Sequence, residues 1–272
     1  MTHRKHLKEK KKIVFKVGSS LLAYPNGKIH LQRMEKLVRV LAHLHNSGKE
    51  VILVSSGAVA VGMGIMGLEK RPEELVMKQA LAAVGQAGLI RLYQKFFDEY
   101  GQKVAQVLLT RDGTENSLRR RNARNTLNQL TALDIIPVVN ENDTVSTEEI
   151  EFGDNDTLSA TVATLIHADL LLILTDTDGV FTSDPHLNHS ARKVHKVFKG
   201  SDELKEVDLN GSSPMGSGGM GSKIAAAELC REHNVDVVIS DGTDPSTILD
   251  VLDGKDLGTF FVSEATNRLT TP

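Results

Sequence analysis

The fold of this chain is constrained most by a series of short apolar runs that alternate with longer segments of helical periodicity. The runs are Ile13–Val17, Val51–Val54, Val104–Leu109, Ile135–Val139 and Leu170–Leu174. A strand that is apolar on both faces must be buried on both faces, and a parallel sheet covered by helices provides that burial. The sequence therefore predicts an α/β fold with helices on both sides of the sheet.

The segments between and after these runs predict the remaining elements. Helices are expected at Leu31–Asn46, Ala58–Met66, Leu118–Leu133, Ile224–His233 and Pro245–Leu252. Pro72–Tyr100 is expected to form one or two helices, with Gly85 and Gly88 as possible break points. Phe181–Gly200 is polar and irregular and predicts a hairpin or flap, and Val235–Ser240 and Phe260–Val262 predict two closing strands.

The bulk properties exclude several classes of protein. A chain of 272 residues suits one large α/β domain or two closely joined halves, and no apolar run approaches the roughly 20 residues of a membrane span. We expect the basic start, residues 1–11, to be a solvated tail, since no signal-type apolar region follows it. The net charge of −3 argues against a nucleic-acid partner. The single cysteine, Cys230, fits a reducing cytoplasm, and its apolar neighbours predict a buried thiol.

Two clusters of acidic and amide residues flank one loop in the middle of the chain. Asn140–Asp143 follows a buried strand, and Gly153–Asp156 precedes the helical run Thr157–His167. Such positions hold the ligands of open α/β sheets. Crowded carboxylates raise one another's pKa unless cations lie among them, so we expect cations to arrive from elsewhere. The alternative is that Asp143 is a turn residue and Asp156 a helix cap.

Three glycine- and serine-rich turns offer backbone N–H groups to an anion. They are Gly18–Ser20, Ser55–Gly57 and Gly211–Ser222. Lys16, before the first turn, and Lys223, after the third, are placed to direct ammonium groups at the same anion. Taken singly, a lysine reaching out to solvent and a flexible linker are alternative interpretations. The third turn resembles a Walker A motif, but serine stands where its lysine belongs and no strand runs directly into it.

These parts together suit phosphoryl transfer, which depends mainly on positioning and charge stabilisation. The sequence shows no Ser-His-Asp or Cys-His nucleophile pattern and no protein-kinase motif set. An acceptor carboxylate, with a pKa near ~4.3, is already ionised at neutral pH and needs no general base. An acceptor hydroxyl would need one.

The same motifs resemble those of the amino acid kinase family over about residues 12–262. Within the family they resemble the branch that phosphorylates the side-chain carboxylate of L-glutamate, the first step of proline synthesis. The resemblance rests on Lys16–Ser20, Val54–Ala58, Asn140–Asp143, Gly153–Asp156, Thr175–Asp176 and Ser217–Lys223. The lysine-glycine and serine-glycine turns are shared widely in the family, whereas the two acid-amide clusters in this order are specific to that branch.

The resemblance implies a three-layer αβα sandwich with a mainly parallel sheet of about eight strands, formed by residues 12–272. The N-terminal half would bind the amino acid and the C-terminal half ATP. Lys16 and Lys223 would act as catalytic cations, with Asp156 holding both ammonium groups in place.

The resemblance also assigns the binding residues. Gly18 and Gly57 would offer backbone N–H groups to the transferred phosphoryl group, and Ser56, Asp143 and Asn155 would bind glutamate, Asp143 through its α-ammonium. ATP would contact Lys16, Thr175, Asp176, Ser217, Gly218, Gly219, Met220, Gly221, Ser222 and Lys223. Mg²⁺ would be held mainly by the ATP phosphates, with no protein ligand of its own.

Further properties are implied by the resemblance alone. These are a homo-oligomer, either dimer or tetramer, feedback inhibition by L-proline, a cytoplasmic location and glutamyl phosphate reductase as functional partner. Many bacterial members carry a C-terminal PUA domain, and this chain ends about where one would begin. Two alternatives stay open: a relative acting on acetylglutamate, aspartate, carbamate or a nucleoside monophosphate, and a catalytically silent nucleotide or amino-acid sensor.

Overall fold

The computed structural model describes residues 3–24, 26–110, 116–145, 155–185, 187–205, 207 and 219–270. Its central sheet has eight strands in the order β3-β4-β2-β1-β5-β9-β10-β8. These strands are β1 Lys12–Val17, β2 Glu50–Ser55, β3 Lys103–Leu109, β4 Ile135–Glu141, β5 Leu170–Thr175, β8 Lys196–Val197, β9 Asp236–Asp241 and β10 Thr259–Phe261. Neighbouring strands pair in parallel except for β9 with β10, which confirms the predicted sheet.

Helices cover both faces of this sheet. They are α1 Ser19–Leu22, α2 Leu31–Asn46, α3 Ala58–Met66, α4 Leu75–Asp98, α5 Ser117–Ala132, α6 Asn155–Leu165, α7 Met220–Glu232, α8 Thr247–Leu252 and α9 Glu264–Thr270. Successive residues of a strand point to opposite faces, and β1 shows the result. Phe15 packs in the core layer of α2 and α4, whereas Val14 packs in the layer of α6 and α7. The predicted three-layer sandwich is confirmed.

Strand β1 lies where the order of the sheet reverses. The chain runs from β1 to β2 on one side, and β5 later pairs with the other side of β1. In open α/β sheets the crevice at the carboxyl ends of such strands is the usual ligand site. Lys16 and Gly18 lie at this carboxyl end.

Helix α4 is continuous, so of the two alternatives for this segment the single helix is confirmed, with no break at Gly85 or Gly88. Its glycines serve close packing against α3. A Cβ on Gly85 would lie 1.8 Å from the backbone oxygen of Ala58, which no side chain tolerates. The two helices therefore approach each other backbone to backbone at this point.

The N-terminal segment is not the solvated tail that its charge predicts. His3–Glu9 forms a 3₁₀ helix in which Leu7 is completely buried and Arg4 is 4% exposed. The Arg4 guanidinium donates to the backbone oxygens of Leu257 (2.7 Å) and Gly258 (2.9 Å) and pairs with Asp256. Residues three apart share a side of a 3₁₀ helix, so Arg4 and Leu7 face inward together.

The structure also tests several predictions for residues that lie away from the site. The hairpin expected in Phe181–Gly200 is confirmed as an antiparallel pair of β6, Val180–Phe181, and β7, Lys193–Val194. Cys230 is buried, and burial raises the pKa of its thiol to about 12. Helix α9 follows the last strand and was not predicted. None of the described helices combines the length and the hydropathy that crossing a bilayer requires.

Candidate active site

Three charged side chains that are far apart in sequence meet at the carboxyl end of β1. Lys16 Nζ lies 2.5 Å from Asp156 Oδ1, and Lys223 Nζ lies 3.0 Å from Asp156 Oδ2. Lys16 points to the same face of the sheet as Val14, which is the face that α6 and α7 cover. Asp156 lies in the first turn of α6, and Lys223 in the first turn of α7. The predicted meeting of the two lysines over Asp156 is thus present.

The charges of this triad are buried, and its positive charges outnumber its negative charge. Asp156 is fully buried, and Lys16 and Lys223 are nearly so. Burial alone would raise the pKa of Asp156, but the adjacent Lys16 and Lys223 ammonium groups outweigh burial and hold the pKa well below its usual range. Among the described residues, two cations face one anion, so their formal charges sum to +1 in a desolvated pocket. Such a pocket favours a further anion.

Two turns place backbone N–H groups beside this pocket. Gly18 precedes α1, and a Cβ on Gly18 would lie 3.8 Å from Lys16 Nζ. Gly57 precedes α3 with φ 107°, a left-handed conformation that favours glycine. The two turns are neighbours, since a Cβ on Gly57 would lie 4.0 Å from the Cα of Ser19. N–H groups at helix starts attract negative charge, so an anion beside Lys16 would also lie near the first turn, which the second turn adjoins.

A second set of polar residues lies on the β2 and β4 side of the triad. Asn155 Nδ2 donates to Ser56 Oγ at 3.0 Å and to Asn140 Oδ1 at 2.8 Å. Asn140 Nδ2 in turn donates to Gln86 Oε1 at 2.7 Å. Two of the residues predicted to bind the amino acid, Ser56 and Asn155, are therefore in direct contact.

Asp143 stands just beyond the end of β4, in a turn. Burial raises the pKa of its carboxyl to about 6, an effect that the charge of Arg71 partly offsets. The carboxyl is thus mainly ionised at neutral pH and close to its titration range. This environment suits the recognition of a cationic group, which would favour the ionised form.

The residues expected to bind ATP occupy different surroundings. Thr175 is buried at the end of β5 and donates to Asp176 Oδ1 at 3.1 Å, while Asp176 itself is exposed. Gly219 caps α7, and a Cβ on Gly221 would meet open space. Ser217 and Gly218 lie outside the described residues, as do Gly153 and Asp154 of the second acidic cluster.

Two members of the glycine-rich segment point inward. Ser222 Oγ donates to Asp156 Oδ2 at 3.0 Å and so belongs to the charged triad. The side chain of Met220 packs against the apolar layer of α6 and α7.

Sequence reasoning missed two polar residues behind the site. Gln86 lies on the buried stripe of α4 that also contains Leu81, Ala82, Leu89 and Tyr93. The hydroxyl of Tyr93 contacts Ser55 Oγ at 2.8 Å, directly before the second turn. A glutamine among apolar residues at helical spacing was the available signal, because a buried amide requires a partner.

Among the described residues, no cluster of three or more histidine, cysteine, aspartate or glutamate side chains is arranged to hold a metal ion. The acidic side chain nearest the lysines, Asp156, is already paired with both. A divalent cation at this site would therefore fit on the phosphates of a nucleotide better than on Asp156.

Comparisons with known proteins show which family the chain resembles. The family model described as "Amino acid kinase family" matches residues 11–241. Glutamate 5-kinase from Clostridium perfringens is 48% identical over 96% of this chain and 98% of its own length. Glutamate 5-kinase from Symbiobacterium thermophilum is 47% identical over 96% and 99% of the two chains. Among solved structures, carbamate kinase from Giardia lamblia covers 94% of this chain and 100% of its own, with a TM-score of 0.68 and 13% identity, which shows a shared fold.

Proposed function

The chain belongs to the glutamate 5-kinases of the amino acid kinase family, and from this premise we propose that it transfers the γ-phosphoryl group of ATP to the side-chain carboxylate of L-glutamate. The product is L-glutamyl 5-phosphate, the first intermediate of proline synthesis. The observation that carries the proposal is the buried triad of Lys16, Asp156 and Lys223, with its excess positive charge beside two glycine turns.

We propose that catalysis depends mainly on stabilising the negative charge of the transferred phosphoryl group. As the phosphoryl group moves from ATP to the carboxylate and ADP leaves, negative charge spreads over its oxygens. Lys16 approaches from the end of β1 and Lys223 from the start of α7, so the two ammonium groups flank the moving group from different elements. Asp156 fixes both ammonium groups at 2.5 and 3.0 Å before substrate arrives, which avoids reorganisation during the reaction. N–H groups of Gly18 and Gly57 supply further donors.

We assign the amino-acid site to Ser56, Asp143 and Asn155. The three residues belong to the ends of β2 and β4 and to the start of α6, beside the triad. Asp143 binds the α-ammonium of glutamate as a carboxylate. The ionised side-chain carboxylate of the substrate then points toward the lysines and needs no base to activate it.

We assign the nucleotide site to Lys16 at the end of β1 and to residues of the C-terminal half of the chain. It comprises Lys16, Thr175, Asp176, Gly219, Met220, Gly221, Ser222 and Lys223, together with Ser217 and Gly218. Mg²⁺, when bound with ATP, neutralises charge on the β- and γ-phosphates, and those phosphates supply most of its ligands in this proposal.

A coupled ADP-release assay tests the substrate. We expect turnover with L-glutamate and none comparable with N-acetylglutamate, L-aspartate, carbamate or a nucleoside monophosphate. Trapping the product with hydroxylamine as a hydroxamate shows that the acceptor is a carboxylate. Absence of ADP release with every acceptor would instead support a non-catalytic sensor.

Lys223→Ala tests the mechanism. Removing one preorganised cation should lower turnover at least about 100-fold. The matched control is Lys255→Ala, because Lys255 forms an exposed pair with Asp250 and should be dispensable for turnover. Near-normal turnover of a folded Lys223→Ala variant would refute the assigned role.

We further infer three properties that the family suggests. L-Proline would compete at the glutamate site, which a rise in the apparent KM for glutamate with added proline would test. The chain would form a dimer or tetramer, which sedimentation would measure. A glutamyl phosphate reductase in the same cytoplasm would consume the product, since an acyl phosphate with a free amine in reach is short-lived.

A further inference from the structure

A chain of three side-chain amides runs from the middle of α4 to the start of α6. Gln86 Oε1 accepts from Asn140 Nδ2 at 2.7 Å, and Asn140 Oδ1 accepts from Asn155 Nδ2 at 2.8 Å. All three side chains are buried. This series of amides thus begins on α4, which contributes none of the residues assigned above. It ends at Asn155, which is assigned to glutamate binding.

The backbone fixes the direction of these amides. Asn155 Nδ2 also faces the carbonyl oxygen of Ser55 at 3.2 Å, and a carbonyl oxygen only accepts hydrogen bonds. The atom of Asn155 on this side must therefore be nitrogen. Asn140 must then present its oxygen to Asn155 and its nitrogen to Gln86, which accepts with Oε1.

This direction determines which atoms are left for a ligand. The nitrogen of Asn155 is shared among oxygens of Ser55, Ser56 and Asn140, so the remaining polar atom of its amide is the acceptor Oδ1. Ser56 Oγ accepts from Asn155, so its own O–H is left to donate. An acceptor and a donor side by side match the ammonium and the carboxylate of an amino acid.

We propose that Gln86 is a positioning residue that holds Asn140, and through it Asn155, in the orientation that recognises the amino-acid end of the substrate; this rests on the proposed function. Without the oxygen of Gln86, a buried N–H of Asn140 has no acceptor. A buried unpaired donor is strongly unfavourable, and Asn140 relieves it by rotating, which takes its oxygen away from Asn155. Asn155 then no longer presents Oδ1 to the substrate in a fixed position.

The test replaces Gln86 by residues that either remove or keep its hydrogen-bond acceptor. Gln86→Met keeps the length of the side chain but removes the acceptor, and should raise the KM for glutamate about tenfold or more. The turnover number and the KM for ATP should change less than about threefold, because the triad is not part of the amide chain. Gln86→Glu keeps an acceptor and should hold the KM for glutamate within about threefold of wild type.

The matched control is Gln94→Met, the same substitution on the same helix. Gln94 donates to Asp98 on the surface, at 2.7 Å, and its replacement should leave the KM for glutamate unchanged. A second readout is the preference for glutamate over glutarate, which lacks the ammonium group. Gln86→Met should lower the ratio of kcat/KM for glutamate to kcat/KM for glutarate about tenfold. A general loss of stability would leave this ratio unchanged.

Three outcomes would overturn the role of Gln86. They are an unchanged KM for glutamate in Gln86→Met, an equal rise in Gln86→Glu and Gln86→Met, and an equal rise in the KM for ATP. If Gln86→Met does not fold, Gln86→Asn, one methylene too short to reach Asn140, is expected to give the same rise. A wild-type chain inactive on glutamate would refute the proposed function, whereas an active wild type with an unaffected Gln86→Met variant would refute this inference alone.

Discussion

At the scale of single residues, Asp143 gives the proposed site a distinctive pH dependence. Burial raises its pKa to about 6, and only the ionised form attracts an ammonium group. The KM for glutamate should therefore rise as pH falls through about 6, by nearly tenfold between pH 7 and pH 5. Steady-state kinetics over this range, with the KM for ATP as internal reference, measure the effect.

Asp143→Asn provides the control for that experiment. The amide does not titrate, so the KM for glutamate should be high at pH 7 and nearly flat down to pH 5. A wild-type profile that is equally flat would contradict the role of Asp143.

We expect Asp156 to support stability as well as the proposed chemistry. Asp156→Asn leaves two buried ammonium groups without their shared carboxylate and should lower the free energy of unfolding by about 3–5 kcal/mol. Asp250→Asn, which breaks an exposed pair with Lys255, should lower it by less than about 1 kcal/mol. Urea unfolding at pH 7 measures both, and equal effects would contradict the buried triad.

The same carboxylate predicts a loss of stability in acid. The pKa of Asp156 is lowered in the folded chain, so its contribution is complete above the ordinary aspartate value of about 3.9 and is lost as pH falls below that value. The difference in unfolding free energy between wild type and Asp156→Asn should accordingly shrink toward pH 3.

Whether the sequence could predict a site residue depends on where in the chain its partners lie. Lys16, Asp156 and Lys223 carry charges beside glycine turns or acidic clusters, and a charge near an element boundary is visible in the sequence alone. Gln86 has no such marker, because its partner Asn140 is 54 residues away and reaches it only through helix packing on the sheet.

At the scale of elements, the packing of α3 on α4 depends on glycine at particular positions. Gly85→Ala places a Cβ against the backbone oxygen of Ala58 and should lower the unfolding free energy by about 1–3 kcal/mol or more. It should also raise the KM for glutamate, because the shift moves the neighbouring Gln86.

Gly88→Ala is the matched comparison on the same helix. Its Cβ would meet the end of the exposed Ile65 side chain, which can move aside, and would lie 3.3 Å from Cγ1 of the buried Val61, which must shift by only a small distance. The gain in helix propensity, about 1 kcal/mol, should make this variant neutral or slightly more stable in the same unfolding experiment. A Gly85→Ala variant as stable as Gly88→Ala would contradict the close approach.

Element boundaries were predicted best where apolar periodicity defines them. They were predicted least well where contacts between residues of the site define them. Helices α2 and α3 begin and end where the sequence indicates. Helix α7 begins four residues earlier than predicted, at Met220, since glycines disfavour a helix and the bond from Ser222 to Asp156 is not visible in sequence. The sequence left one or two helices open around Gly85, because the contact that requires this glycine is made by α3, a separate element.

At the scale of the whole molecule, the N-terminal segment fastens the first residues of the chain to the far edge of the sheet. Arg4→Ala removes bonds to the backbone of Leu257, Gly258 and His195 and should lower the free energy of unfolding by about 2 kcal/mol. Thermal unfolding measures this as a lower Tm. Lys5→Ala, at an exposed neighbouring position, should leave the Tm unchanged, and an equal loss would contradict the contact.

The overall architecture was the part most fully predictable from the sequence. Fully apolar strands such as Leu170–Thr175 require cover on both faces, which leaves few arrangements besides a parallel sheet between helix layers. The inward-facing Arg4 was not predictable, because a run of basic residues has the composition of a solvated segment. Its partners are carbonyl groups more than 190 residues away.

One peptide bond joins the two halves of the proposed site. Asn155 faces Ser56 on one side, and Asp156 faces both lysines on the other, with Cα atoms only about 3.8 Å apart. Adjacent residues cannot separate, so the amide that contacts Ser56 and the carboxylate that pairs with both lysines stay next to each other. A change in the width of the crevice would then leave the proposed amino-acid site and the proposed phosphoryl-transfer site adjacent to each other.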